Sequence, residues 1–175
     1  MKHRVDSKCG FTLIELLIVI IIMGVLALLI FGNYSTSLKK GRDVRRKNDL
    51  SQIQKALEMY YEDYSSYPAS ISLGSKFCYA SPCYAIDKVY MIKLPNDPQY
   101  SSSAPVNTST YSYLREPGGS YYYLLSCIEN KNDLGNGVSQ TGYKNPFGTG
   151  TLSCGTCGDC KYAIGAFNAP LIPTP

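Results

Sequence analysis

The chain has 175 residues, 45% of them hydrophobic, with 17 basic and 13 acidic side chains and a net charge of +4. That length suffices for one modest domain plus an extended element. Beyond Tyr64 there are seven basic and six acidic side chains, which excludes the strong positive field of a nucleic-acid-binding head.

Residues 1–10 form a short polar leader carrying Lys2, Arg4, Lys8 and Cys9. From Phe11 to Phe31 the chain is apolar except for Thr12 and Glu15, and Leu16 to Phe31 has no polar side chain. As a helix these residues would span roughly 32 Å, about one bilayer core, so residues 11–32 are read as a transmembrane and assembly helix. A secretory signal peptide carries a small-residue cleavage site after its apolar stretch. None follows here, so the expected cut is before the stretch, between Gly10 and Phe11.

Residues 33–63 read as an amphipathic continuation into the head. Lys39, Lys40, Arg42, Arg45, Arg46 and Lys47 make a basic collar. Leu50, Ile53, Leu57, Tyr60 and Tyr64 then recur at steps of three and four, the mark of one buried helix face. The pattern predicts a single helix from Thr12 to Asp63, with Pro68 beyond its end.

Residues 64–175 read as a small antiparallel β head with long loops. Tyr111–Arg115, Tyr121–Ile128 and Tyr162–Phe167 are predicted strands, with a weaker segment at Val89–Leu94. Glu116-Pro117-Gly118-Gly119 is a hairpin turn. Ser101–Ser112 reads as an exposed loop, and Pro170–Pro175 as a loose end. A helix with one apolar stripe must cover something, and a sheet packed on Leu50–Tyr64 is the economical partner. The fold class is therefore α+β. The first half of the helix has no partner within the chain, so its partners are lipid or other copies.

Six cysteines follow the leader, Cys78, Cys83, Cys127, Cys154, Cys157 and Cys160. An even number in an exported head points to disulfides. Cys78 and Cys83 are close enough in sequence to close a small loop, and the pairing of the other four is open. The rival reading is a zinc site built from the Cys154, Cys157 and Cys160 cluster with Cys127. The stretch from Glu129 to Asn136 is rich in oxygen donors, which makes Glu129, Asn132, Asp133 and Asn136 calcium candidates. Its spacing is not that of an EF-hand, and the same composition also makes ordinary turns. The only histidine is His3, in the leader, and paired catalytic carboxylates, a nucleophile elbow and a P-loop are missing. The chain reads as a non-enzyme.

Glu15 stands in a stretch otherwise fit for lipid, where a carboxylate is expensive and usually marks a function. One reading takes it to the headgroups. The other gives it a cation: a cut after Gly10 would create the α-amine of Phe11, which shares a helix face with Glu15 at i, i+4 and could meet the Glu15 of a neighbouring subunit.

The residues Cys9-Gly10-Phe11-Thr12-Leu13-Ile14-Glu15-Leu16 closely resemble the processing site of type IV pilins and of the pseudopilins of type II secretion. The resemblance extends through Gly41–Leu50, Ala56–Tyr61 and Tyr67-Pro68, where it looks like the major pseudopilin type, and thins after residue 68. It implies a pilin fold, a prepilin peptidase cut after Gly10, methylation of Phe11, and assembly through Phe11 and Glu15 into a homo-oligomeric helical filament. The implied partners are minor pilins or pseudopilins and an inner-membrane assembly platform. The precursor would sit in the inner membrane with its head exported, and the filament would be periplasmic or extracellular. Major pseudopilins often hold calcium in a late loop; otherwise no cofactor is implied. Two features depart from simple expectation. Gly32 stands where many pilins have proline. The collar outweighs the leader in positive charge, so the positive-inside rule would put it in the cytoplasm, whereas the family topology puts it outside. The cleavage motif is the more specific signal and decides for the family topology. The alternative function is a minor or competence-type pilin whose head grips DNA or a surface ligand.

Overall fold

The computed structural model describes residues 10–80, 82–103 and 109–172. Residues 1–9 of the leader, Cys9 among them, the middle of the Ser101–Ser112 loop and the last three residues of the C-terminal tail lie outside the described residues. One helix, α1, runs over Leu13–Tyr64, 52 residues. Straight-chain and aliphatic residues without proline carry it. Ser65 ends it in the left-handed region at φ 54°, donating its N–H to the Tyr61 carbonyl at 2.7 Å, and Pro68 follows. The chain divides into two compact units, one ending at Leu38 and the other covering Lys39–Pro175.

In the first unit the large apolar side chains are exposed on every face. From Leu13 through Leu28 the most covered, Leu17, is still 47% exposed. Among the described residues of that unit nothing else packs on them.

In the second unit α1 buries one stripe. Leu50, Ile53 and Leu57 have no exposed surface, and Ala56 and Tyr60 are buried beside them. Tyr64, expected on this stripe, is instead 41% exposed: it is the last residue of α1, with the rings of Tyr79 at 4.4 Å and Tyr60 at 4.8 Å against it. Three antiparallel strands in chain order cover the stripe: β3 (Ser112–Arg115), β4 (Tyr122–Ser126) and β5 (Tyr162–Gly165). Each is shorter than its sequence pattern suggested. A separate ribbon pairs β1 (Phe77–Cys78) with β2 (Val89–Met91). β1 was not expected from the sequence, since two residues are too few to show a period.

The β3–β4 turn forms at Glu116–Gly119, where Glu116 donates to the Tyr121 carbonyl at 3.0 Å. Gly119 sits at φ +79°, and a Cβ there would lie 2.3 Å from both Arg115 Nη2 and Ser66 Oγ. Only glycine fits that position.

β4 is buried on both faces. Tyr122 and Leu124, with Ile128 beyond the strand, pack with the α1 stripe. The alternate residues Tyr123, Leu125 and Cys127 pack with Tyr143, Leu152, Cys154 and Cys160 from the C-terminal loops. The period-2 alternation of a strand thus feeds two cores, and the head has three layers: helix, sheet and a loop layer held by disulfides. Cys127 bonds Cys157 across 30 residues, Cys154 bonds Cys160, and Cys78 bonds Cys83 between β1 and β2. This leaves no thiolate among the six for zinc. Closing a 30-residue loop removes about 3–4 kcal/mol of unfolded-state entropy in the chain-entropy account, which offsets the modest size of the loop layer.

Two outcomes follow from this packing. Leu57→Ala should lower the unfolding free energy by ~2–5 kcal/mol, read by chemical denaturation. Thiol titration of the denatured chain without reductant should find no free thiol other than that of Cys9.

Candidate functional site

The start of α1 is built by its own sequence. Thr12 is the N-cap residue, and Glu15 stands three positions on. The Thr12 N–H and hydroxyl both donate to Glu15 Oε2 at 2.9 Å, and the Glu15 N–H donates to Thr12 Oγ1 at 3.3 Å. This is a capping box, in which two backbone donors that the helix cannot satisfy are satisfied reciprocally. A carboxylate there also meets the positive end of the helix dipole. Glu15 Oε1 makes no hydrogen bond among the described residues. Gly10 and Phe11 precede the cap and are exposed, Phe11 at 90%.

The segment that follows is apolar on all sides, which in a folded protein means burial in something other than this unit. Among the described residues no helix is long and apolar enough to cross a membrane. The sequence's apolar stretch continues to Phe31, through positions whose side chains lie outside the description.

The collar that follows is not one basic face. Arg46 is buried, with no exposed surface. Its Nη1 donates to Asp43 at 2.8 Å and to Glu129 at 2.7 Å, its Nε to Asp97 at 2.7 Å, and its Nη2 to Gln99 at 3.0 Å. Burial opposes its charge, but the hydrogen bonds to Asp97 and Glu129 more than offset that and raise its pKa. Arg42 makes a two-pronged contact to Glu129, and Lys47 reaches Asp133 at 2.6 Å. The bonds from Arg42 and then Arg46 hold the Glu129 carboxyl down at about 2. Asp43 accepts the backbone N–H groups of Glu129, at 3.0 Å, and Asn130, at 2.8 Å. Arg45 is outside this network, 3.8 Å from Asp49 and 65% exposed, a weak surface pair. Sequence reasoning missed Arg46. The signal was its place four residues before Leu50, on the buried stripe.

The calcium candidates are engaged unequally. Glu129 and Asp133 face cationic N–H donors, Asp133 Oδ1 also accepts the Gly135 N–H at 3.0 Å, and Asn132 and Asn136 are exposed. Among the described residues no group of three or more Asp, Glu, Cys or His is placed to hold a metal ion. As arranged, these residues do not fit calcium.

Residues 6–31 match the prokaryotic N-terminal methylation motif. A type II secretion system core protein G of Klebsiella pneumoniae is 41% identical over 117 residues, 67% of this chain and 74% of that protein. That of Klebsiella michiganensis is 34% identical over 101 residues, 54% of this chain and 70% of that protein. That of Dickeya chrysanthemi is 29% identical over 67% of each chain. No solved structure matches the chain significantly. A capped apolar helix behind a Gly10-Phe11 boundary, an α+β head and these relatives agree: the chain belongs to the type II secretion system core protein G family of pseudopilins.

Proposed function

We propose that this chain is the structural subunit of a type II secretion pseudopilus, cut between Gly10 and Phe11 and polymerised through the first half of α1. The observation that carries this is a run of large apolar side chains, none less than 47% exposed from Leu13 to Leu28, directly after the processing motif. Such a surface is untenable in water. Lipid covers it in the precursor, and the same run of neighbouring subunits covers it in the filament, whose head stands on the exported side. The membrane peptidase and the other pseudopilins of the assembly platform are the partners this requires. No catalytic chemistry is part of the reading.

Cleavage turns the Phe11 amide nitrogen into an amine. Glu15 has one oxygen, Oε2, engaged by its own helix start, and the other without a hydrogen bond among the described residues. Oε1 can accept the amine of a neighbour without uncapping the helix. An opposite charge in an apolar bundle satisfies that amine and sets the register between subunits.

Intact-mass analysis of protein from its native host should show a chain beginning at Phe11 with ~14 Da added by methylation. A mature protein still carrying residues 1–10 would refute the processing step. The second test separates the two duties of Glu15. Glu15→Gln keeps a capping-box side chain but loses the charge, and Glu15→Leu loses both. Both variants should be cut and inserted normally. Neither should give filaments by electron microscopy of sheared material. Normal filaments from Glu15→Gln would leave Glu15 with the cap alone and end the pairing mechanism.

A further inference from the structure

We infer that Arg42, Arg46 and Lys47 do for the acidic loop after β4 what a bound divalent cation would do, so that this head holds the loop without calcium. An acidic loop beside a helix needs positive charge to hold it down. Here the helix itself supplies three cations. Arg46 Nη1 and Arg42 Nε reach Glu129 Oε1 at 2.7 and 2.8 Å, and Lys47 Nζ reaches Asp133 Oδ2 at 2.6 Å. Both Glu129 oxygens accept guanidinium N–H groups, and Asp133 divides its two oxygens between Lys47 and the Gly135 N–H. A calcium ion arriving at these oxygens would have to compete with the N–H donors that already hold them. It would have to displace two guanidinium groups, one of them buried. Asp43 adds a second tie, accepting the N–H groups of Glu129 and Asn130. Four carboxylates, Asp43, Asp97, Glu129 and Asp133, thus face three cations, and the remaining negative charge is shared over backbone donors.

The arrangement has a functional side. A head tied by its own side chains keeps the loop in place whatever the calcium level outside the membrane. It also commits the collar. Arg42, Arg46 and Lys47 are used within the subunit, whereas Lys39, Lys40, Lys131 and Lys161 make no ion pair among the described residues.

The test uses the full-length chain in detergent, stripped with EGTA. Calorimetric titration with calcium chloride should give no saturable binding up to ~1 mM, the weak end of protein calcium sites. The melting temperature should agree within ~1 °C in EGTA and in excess calcium. Saturable binding, or a rise in melting temperature with calcium, would overturn the inference. The double variant Arg42→Gln/Lys47→Gln should melt at least ~4 °C lower than the parent. A control, Lys131→Gln/Lys161→Gln, removes the same charge from outside the ion pairs and should melt like the parent. Equal melting of the first variant and the parent would also sink the inference. These readouts are taken on the uncut chain, so they stand or fall apart from processing and assembly.

Discussion

Arg46 carries a full charge with no surface in contact with water, and the head is arranged to make that tolerable. A buried guanidinium left without partners would cost several kcal/mol, and removing one member of such a cluster typically costs about 3–5 kcal/mol. Its acceptors come from three places: Asp43 one turn back on α1, Asp97 and Gln99 from the loop after β2, and Glu129 from the loop after β4. Once Arg46 is paired, the rotation of α1 against those loops is fixed. Leu50, Ile53 and Leu57 follow on the same face. Beyond β4, Cys127, Ile128 and Glu129 serve in turn the loop layer, the helix core and the ion cluster. A shift of one residue there would break all three at once. The register of the sheet on the helix is set as much by this polar point as by the apolar core.

The tyrosines repeat this logic further along the helix. Glu58 accepts the hydroxyls of Tyr67, at 2.8 Å, and Tyr122, at 3.0 Å; Asp49 accepts that of Tyr111 at 2.8 Å. Burial first, and then these carboxylates, push the hydroxyls of Tyr67, Tyr111 and Tyr122 upward in pKa. Each ring fills the core while its hydroxyl finds an acid on the polar edge of the stripe. A chain of sixteen tyrosines and no tryptophan can therefore be packed without orphaned hydroxyls at these positions.

What was legible in the sequence followed from periodicity. All but the last residue of α1 and the stripe from Leu50 to Tyr60 could be read because the pattern repeats over many turns. The three strands were readable in kind and position but not in extent, because their ends are set by pairing partners rather than by their own residues. The Phe77–Cys78 strand was not readable, since it exists only through Val89–Met91. The pairing of Cys127 with Cys157 depends on the loop layer closing over β4, which no spacing encodes. The collar was read as a single surface because the acids that divide it, Asp97, Glu129 and Asp133, are fifty to ninety residues away. Glu129 and Asp133 were visible, but as part of an oxygen-rich loop and not as the counterions of a helix.

The two halves of α1 solve opposite problems with one backbone. The second half needs one direction, and a narrow stripe with a charged point gives it. The first half is apolar on every face from Leu16 to Leu28, and such a surface binds others of its kind without preferring any orientation or height. In the proposed filament a slide of one turn would exchange Leu, Ile and Val contacts for nearly equal ones. Apolar area alone thus supplies cohesion but no register. The only polar side chains in the sequence from Phe11 to Phe31 are at its start, in the capping box of Thr12 and Glu15. A charge there is costly to misplace, so a single carboxylate can fix the height at which neighbouring helices meet, while the apolar surface behind it holds them together.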